Sequence, residues 1–254
     1  MKLATWNVNS LNIRLPRLVA WLAASQPDIV GLQETKVEDA RFPALGIAAT
    51  GYEAIFYGQR TYNGVAILSK RLASEVRPDM PEFPDDHKRV LAATIDDIRF
   101  VCFYAPNGQA VGTDKYRYKL RWLEAATAYL RHELERFPRL AVVGDFNVAP
   151  EDRDVHDPEL WRDQVLFSEP ERAAFRDWLA LGLKDAFRLF DQPEKTFSWW
   201  DYRMLAFPKN RGLRIDHILL SPSLAGSCAA CRIDREMRKG EKPSDHAPVV
   251  AELA

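Results

Sequence analysis

Apolar runs of strand length alternate along this chain with amphipathic stretches of helix length, and that alternation leaves few folds open. Leu3–Val8, Asp28–Leu32, Tyr52–Tyr57, Gly64–Ser69 and Val90–Ile95 read as strands. So do Arg99–Tyr104, Leu140–Val143, Arg214–Leu220 and Ala247–Leu253. Pro16–Ala24, Lys115–Arg136 and Glu171–Leu181 carry the helical period, and Pro138 and Gly182 follow the last two. Asn63-Gly64 is a hairpin signal between two of the strands. Strand–helix–strand units mixed with hairpins imply an α/β fold with mixed sheets, not an all-parallel barrel. No Pro/Gly/Ser-rich linker interrupts the 254 residues, so residues 1–254 read as one domain. Both halves hold strands that end in polar clusters, without a repeat of fixed period.

Charge and cysteine content narrow the function classes. The 35 basic and 36 acidic residues give a net charge of −1. That balance excludes a strongly basic nucleic-acid coat and an acidic disordered chain, but not a polarised surface. Three cysteines are too few for a disulfide scaffold. The lone Cys228-x-x-Cys231 has no second pair for zinc and reads as reduced thiols. No run reaches the roughly 18 apolar residues that span a bilayer, and the N-terminus lacks the order of a secretory leader. A cytoplasmic protein without membrane contact is the expectation.

Polar clusters fall where strands end, which is where α/β sheets bind ligands. The first strand carries Asn7 and runs into Asn9, and the second ends at Gln33-Glu34. Tyr104 and Asn107 follow Arg99–Phe103, and Gly144-Asp145-Phe146-Asn147 follows Leu140–Val143. Asp216 lies on a late strand, and Asp245-His246 precedes the last one. Each cluster alone reads equally well as a turn or cap. Together they supply carboxylates, amides, one histidine and one tyrosine. Hard oxygen donors suit Mg²⁺ or Mn²⁺ rather than zinc, and such a set fits hydrolytic phosphoryl transfer. His87, His132, His156 and His217 read as surface or satisfied core histidines.

Several of these segments are motifs: Thr5-Trp6-Asn7-Val8-Asn9-Ser10-Leu11, Gly31-Leu32-Gln33-Glu34-Thr35-Lys36, Asn63-Gly64-Val65-Ala66 and Gly144-Asp145-Phe146-Asn147. Phe197–Arg203, Gly212-Leu213-Arg214-Ile215-Asp216 and Lys242–Val249 complete the set. In content and order the chain resembles the exonuclease III-type AP endonucleases of the endonuclease/exonuclease/phosphatase superfamily. The resemblance implies a four-layer α/β sandwich, two packed mixed sheets flanked by helices. It implies a Mg²⁺-dependent nuclease acting at abasic sites and 3′ ends of duplex DNA and leaving a 3′-hydroxyl. Mn²⁺ can replace Mg²⁺ in such sites. Glu34, Asn7, Asp145, Asn147, Asp245 and His246 are the implied metal environment. Asp145, Asn147, Tyr104, Asp216 and His246 are the implied catalytic set, with Asp216 orienting His246. Trp200, Leu213 and Ile215 match positions near the sugar pocket. The implied partner is double-stranded DNA with an abasic site, a nick or a blocked 3′ end, bound by a monomer. Bulky Leu166 and Phe167 in Gln164–Ser168 leave open an alternative weighted to 3′-end exonuclease and phosphatase activity with weak abasic-site cleavage. A different substrate within the superfamily and a binding module without catalysis are the competing readings. The full set of Glu34, Asp145, Asn147, Asp216 and His246 argues against the second.

Charge placement suggests where DNA would lie. Lys115, Arg117, Lys119 and Arg121 alternate with aromatic residues, and residues 203–242 hold nine basic against four acidic side chains. Residues 151–171 hold eight acidic against two basic. Asn107, Lys115, Trp200, Leu213 and Arg214 are the expected DNA contacts, with Trp199 in a structural role.

Overall fold

The computed structural model describes residues 1–254. In chain order the strands are β1 (Lys2–Asn7), β2 (Ile29–Gln33), β3 (Glu53–Tyr57), β4 (Val65–Ser69), β5 (Ala73–Pro78) and β6 (Val90–Ile95). They continue as β7 (Ile98–Tyr104), β8 (Leu140–Asp145), β9 (Lys184–Asp185), β10 (Asp216–Leu220), β11 (Cys228–Ile233) and β12 (Val249–Leu253). The helices are α1 (Leu11–Ser25), α2 (Ala44–Ala48), α3 (Asp114–Arg136), α4 (Pro158–Trp161), α5 (Glu169–Ala180) and α6 (Pro222–Ala225).

One sheet runs β11-β12-β1-β2-β4-β3 and the other β5-β6-β7-β8-β10-β9. Each holds one parallel pair, β1–β2 or β7–β8, joined by α1 or α3. The two halves therefore repeat one topology that their sequences do not display. Strands in the middle of each sheet are apolar on both faces because both faces are covered. Leu3, Ile29 and Ile67 of the first sheet meet Phe100, Val143 and Ile218 of the second between the sheets. On the outside, Leu18, Trp21 and Leu22 of α1 pack on Trp6, Val30 and Leu32. Trp122, Ala126 and Leu130 of α3, with Phe175 and Trp178 of α5, pack on Val101, Phe103 and Leu219. Each such buried side chain stabilises the fold by about 1.5–3 kcal/mol. The result is the expected four-layer sandwich.

The differences from the sequence reading lie at edges and starts. α1 begins at Leu11, with Pro16 inside it. It starts early because the amides of Ser10 and Leu11 donate to the carbonyls of Glu34 and Thr35, so the neighbouring loop satisfies them. β5 and β9 have no apolar run to announce them, and β11 has only the short run of small residues Cys228-Ala229-Ala230-Cys231. β5 is almost wholly exposed, β9 is two residues long, and β11 carries a bulge. The Asn63-Gly64 turn is one end of a longer connection. Both residues have positive φ, and their carbonyls accept from the amides of Lys36 and Thr35. A Cβ on Gly64 would lie 2.2 Å from the Thr35 hydroxyl, so this position requires glycine. All three cysteines are unpaired, as expected. No helix is long and apolar enough to cross a membrane.

Candidate active site

The site forms where strand ends of both sheets meet. β1 and β2 pair in parallel with Asn7 beside Gln33, which places Asn7 and Glu34 at one sheet's carboxyl edge. β7 and β8 do the same for Tyr104 and Asp145, and antiparallel β10 sets Asp216 opposite Asp145. Several residues at this edge adopt left-handed backbone, among them Glu34 (φ 51°), Lys36 (φ 53°) and Asn147 (φ 51°). Such strain in non-glycine residues persists where surrounding structure enforces it, and it gathers at functional sites. Here the enforcers are visible. Thr35 and Lys36 are tied to the Asn63-Gly64 turn, and the amide of Asn147 donates to Asp145 Oδ1 at 2.9 Å.

A chain of contacts crosses the crevice. Asn7 Nδ2 donates to Glu34 Oε1 and to Asp145 Oδ2, each at 2.9 Å. His246 Nε2 lies 3.8 Å from the same Asp145 oxygen, and its Nδ1 lies 2.9 Å from Asp216 Oδ2. Asn147 Nδ2 donates to the Ala105 carbonyl, and its Oδ1 accepts from Asn107. Ligand atoms of Glu34, Asp145 and His246 all lie within 4.8 Å of one another.

Electrostatics assign protons to this chain. Burial pushes Asp145 up to about 7, with the nearby Asp216 and Glu34 charges adding to the effect. Burial alone would lower His246, but the carboxylates of Asp216 and Asp145 outweigh it and carry the imidazole up to about 10. The two groups titrate as a pair. Burial and the adjacent Glu34 hold the Tyr104 phenol well above its ordinary range. At neutral pH the edge thus presents an imidazolium, a protonated phenol and a carboxyl held above the ordinary carboxylate range.

A divalent cation fits the donor set. Glu34 and Asp145 offer hard carboxylate oxygens on the two sides of Asn7, and a cation there would relieve the charge that raises Asp145. His246 completes this group through Nε2, with its Nδ1 held by Asp216 as a carboxylate orients a ligating histidine, while the same carboxylate also favours the imidazolium. Asn7 turns its NH₂ toward the carboxylates while its Oδ1 accepts from the Asn9 amide, so it bridges the donors and does not ligate. Asp245 stands aside: Oδ1 accepts from Asn9 and Oδ2 from Trp199 Nε1. Lys36, missed in the sequence, pairs with Glu34 Oε2 at 2.8 Å and donates to Asn9 Oδ1.

Several expected DNA contacts are relocated. Arg214 is 1% exposed and pairs with Asp154 and Asp185, so it has no face for DNA. Leu213 and Ile215 are buried with Ala149, Val155, Leu166 and Phe167. Trp200 is fully buried against Ala206 and Phe207, whereas Trp199 reaches the site through Asp245, with its ring 6.5 Å from His246. Trp200 is therefore the core tryptophan and Trp199 the one at the edge of the site, the reverse of the placement expected. Asn107 and Lys115 are exposed at a cavity beside Tyr104. Lys119 leaves the basic row altogether. It is fully buried, paired with Glu171, and donates to the carbonyls of Asn147 and Asn107 at 2.6 and 3.2 Å.

A second buried brace holds the other side of that turn. His217 Nε2 donates to the Val148 carbonyl at 2.9 Å, and its Nδ1 accepts from Arg214 at 3.0 Å. Burial, reinforced by the Arg214 charge, keeps this ring neutral, well below its ordinary pKa. His217 is thus a satisfied core histidine, whereas His87 and His132 are exposed.

Comparison with known proteins identifies the family. Residues 4–246 match the sequence profile described as the endonuclease/exonuclease/phosphatase family. The chain is 36% identical to an exodeoxyribonuclease III of Haemophilus influenzae over the full length of both. Among solved structures, a Neisseria 3′ phosphatase, NExo, bound to a product DNA hairpin superposes with a TM-score of 0.98 at 44% identity, covering 100% of this chain and 99% of that one. An AP endonuclease from Archaeoglobus fulgidus superposes at 0.96 with 39% identity and the same coverage. The chain belongs to the endonuclease/exonuclease/phosphatase family, as a hydrolase of the exonuclease III type.

Proposed function

We propose that this nuclease is a DNA-repair enzyme that hydrolyses phosphodiesters at 3′ ends and abasic sites of duplex DNA with Mg²⁺, leaving a 3′-hydroxyl. The observation that carries the reading is the continuous line Glu34–Asn7–Asp145–His246–Asp216 at the joint edge of two sheets. Glu34 and Asp145 would hold the Mg²⁺, which when bound would supply neutralising charge for a phosphate. The rest falls to the side chains. Asp145, turned into the crevice beside His246, orients a water and accepts its proton at Oδ. The water's oxygen bonds to phosphorus as the bond from phosphorus to the 3′ oxygen breaks. The His246 imidazolium, held by Asp216, faces the charge that gathers on the phosphate oxygens, and the Asn147 amide assists it. Tyr104 keeps its proton and can donate it to the departing oxygen.

A specific observation supports weighting toward 3′ ends. Leu166 and Phe167, the bulky pair of Gln164–Ser168, are buried with Leu213 and Ile215 in one apolar cluster. The Neisseria proteins described as a 3′ phosphatase and a 3′-5′ exonuclease also share more identity with this chain than the archaeal AP endonuclease, 44% against 39%. The test compares one preparation on an abasic duplex, a 3′-phosphate nick and a recessed 3′ end. Faster 3′-phosphate removal than incision supports the weighting, equal rates overturn it, and no cleavage of any of the three overturns the DNA reading itself.

A further inference from the structure

Arg14, in the first turn of α1, is 8% exposed, and its partners are oxygens without formal charge. Nη1 donates to the Asn9 carbonyl at 2.6 Å. Nη2 donates to the Tyr202 hydroxyl at 2.8 Å and to the Pro243 carbonyl at 3.0 Å. The Tyr202 hydroxyl donates to the same Pro243 carbonyl at 2.8 Å. One guanidinium thus gathers the loop after β1, the irregular segment that carries Tyr202, and the loop that leads to Asp245 and His246. Burying a cation on neutral oxygens is unfavourable unless its hydrogen bonds are met, and here Nε is left without a partner. Stability alone is a poor account of such a group.

Asn9 connects Arg14 to the chemistry. Asn9 and Ser10 both have left-handed backbone, at φ 42° and 86°, a conformation that non-glycine residues seldom adopt. Arg14 fastens that turn by its carbonyl, and the remaining polar groups of Asn9 all face the catalytic edge. Its amide donates to Asn7 Oδ1 and its Nδ2 to Asp245 Oδ1, each at 2.9 Å. Its Oδ1 accepts from Lys36, which pairs with Glu34. The bond to Asn7 matters most. An amide side chain carries donors on one arm and an acceptor on the other. With its oxygen held by Asn9, the Asn7 NH₂ faces Glu34 Oε1 and Asp145 Oδ2; turned over, an oxygen would oppose both carboxylates. We propose that Arg14 is a positioning residue: by locking Asn9 it orients Asn7, and through Asn7 the carboxylates that hold the divalent cation. The proposal rests on the metal-dependent nuclease reading above and assigns it a residue that touches neither metal nor substrate.

The test uses Mn²⁺ as probe, because the spin-resonance signal of the free ion reports binding without catalysis. Arg14→Ala should weaken Mn²⁺ binding about tenfold, the lower end of the range for groups that orient metal ligands. Arg17 is the control: it lies one turn further along α1 and donates only to the carbonyls of Met237, Lys239 and Glu241. Arg17→Ala should leave Mn²⁺ affinity unchanged. Methylguanidinium should restore affinity to Arg14→Ala. Guanidinium compounds otherwise loosen folds, so a variant that had merely lost stability gains nothing from it. Native affinity in Arg14→Ala, an equal loss in Arg17→Ala, or a loss that methylguanidinium does not relieve overturns the proposal. If the alanine variant fails to fold, Arg14→Lys replaces it. A point-like ammonium cannot span acceptors on three segments as a planar fork does, so native affinity in the lysine variant overturns the proposal as well. Hydrolysis of a 3′-phosphate DNA hairpin by the native protein with Mg²⁺ isolates the nuclease reading. Hydrolysis with equal Mn²⁺ affinity in native and Arg14→Ala proteins defeats only the role of Arg14, and a native protein that neither binds Mn²⁺ nor hydrolyses defeats both.

Discussion

Lys119→Met tests whether a buried charge holds the catalytic turn. The ammonium is fully buried, pairs with Glu171, and donates to the carbonyls of Asn147 and Asn107. Methionine fills similar volume but leaves the Glu171 carboxylate buried without its cation. Breaking a buried pair on one side costs about 3–5 kcal/mol. For a chain of this size that lowers the melting temperature by about 6–20 °C. Glu171 also accepts from the amides of Leu166 and Ser168, so Glu171→Gln retains part of its network and should recover part of the loss in the double variant. Thermal melts of the four proteins of the cycle give the coupling directly. In steady-state hydrolysis, loosening the Asn147 turn should lower kcat more than it raises KM. A Lys119→Met loss below about 1 kcal/mol with unchanged kcat would refute the clamp and place Lys119 among isolated, replaceable polar groups.

Asp145→Asn should cut turnover by orders of magnitude while hairpin binding in chelator persists, and equal loss of binding would mark Asp145 as structural. Asp216→Asn should move the alkaline limb of the pH–rate profile to lower pH. His246 is raised to about 10, so its cation survives neutrality and is lost as pH rises through that value; without the Asp216 charge the loss comes sooner. The same sign makes the contribution of His246 to stability full below its ordinary value of 6.5 and progressively lost as pH rises from there through about 10, which pH-dependent melts can follow. Gly31→Ala should destabilise by about 1–3 kcal/mol through overpacking, because a Cβ there would meet Val143 Cγ2 at 2.7 Å between the sheets; an unchanged melt would show that the sheets can part.

The site was legible because its chemistry sits at strand ends. Each apolar run announced a strand, and the polar residue after it had to lie at a sheet edge, which located Glu34, Asp145 and Asn147 before any coordinates. What failed was charge read along the chain without facing. Lys119 falls three residues after Tyr116 and three before Trp122, on the inward stripe of α3, so the helical period already argued against a surface role. Arg214 offered no such period, since it stands just ahead of β10 and finds Asp154 and Asp185 only through folding. Trp199 and Trp200 lie in an irregular segment where neither period assigns a face. β5 and β11 are edges, where half-exposed and bulged strands lose the apolar signature.

The central claim is that a carboxylate-held divalent cation and the Asp145–His246 pair hydrolyse a phosphodiester at this edge. One measurement addresses it most directly: release of inorganic phosphate from a 3′-phosphate nick by a single preparation, first in EDTA and then after Mg²⁺ is restored in excess. Release should vanish in the chelator and return with Mg²⁺ in the native protein, but not in Asp145→Asn. Undiminished release in EDTA would contradict the account.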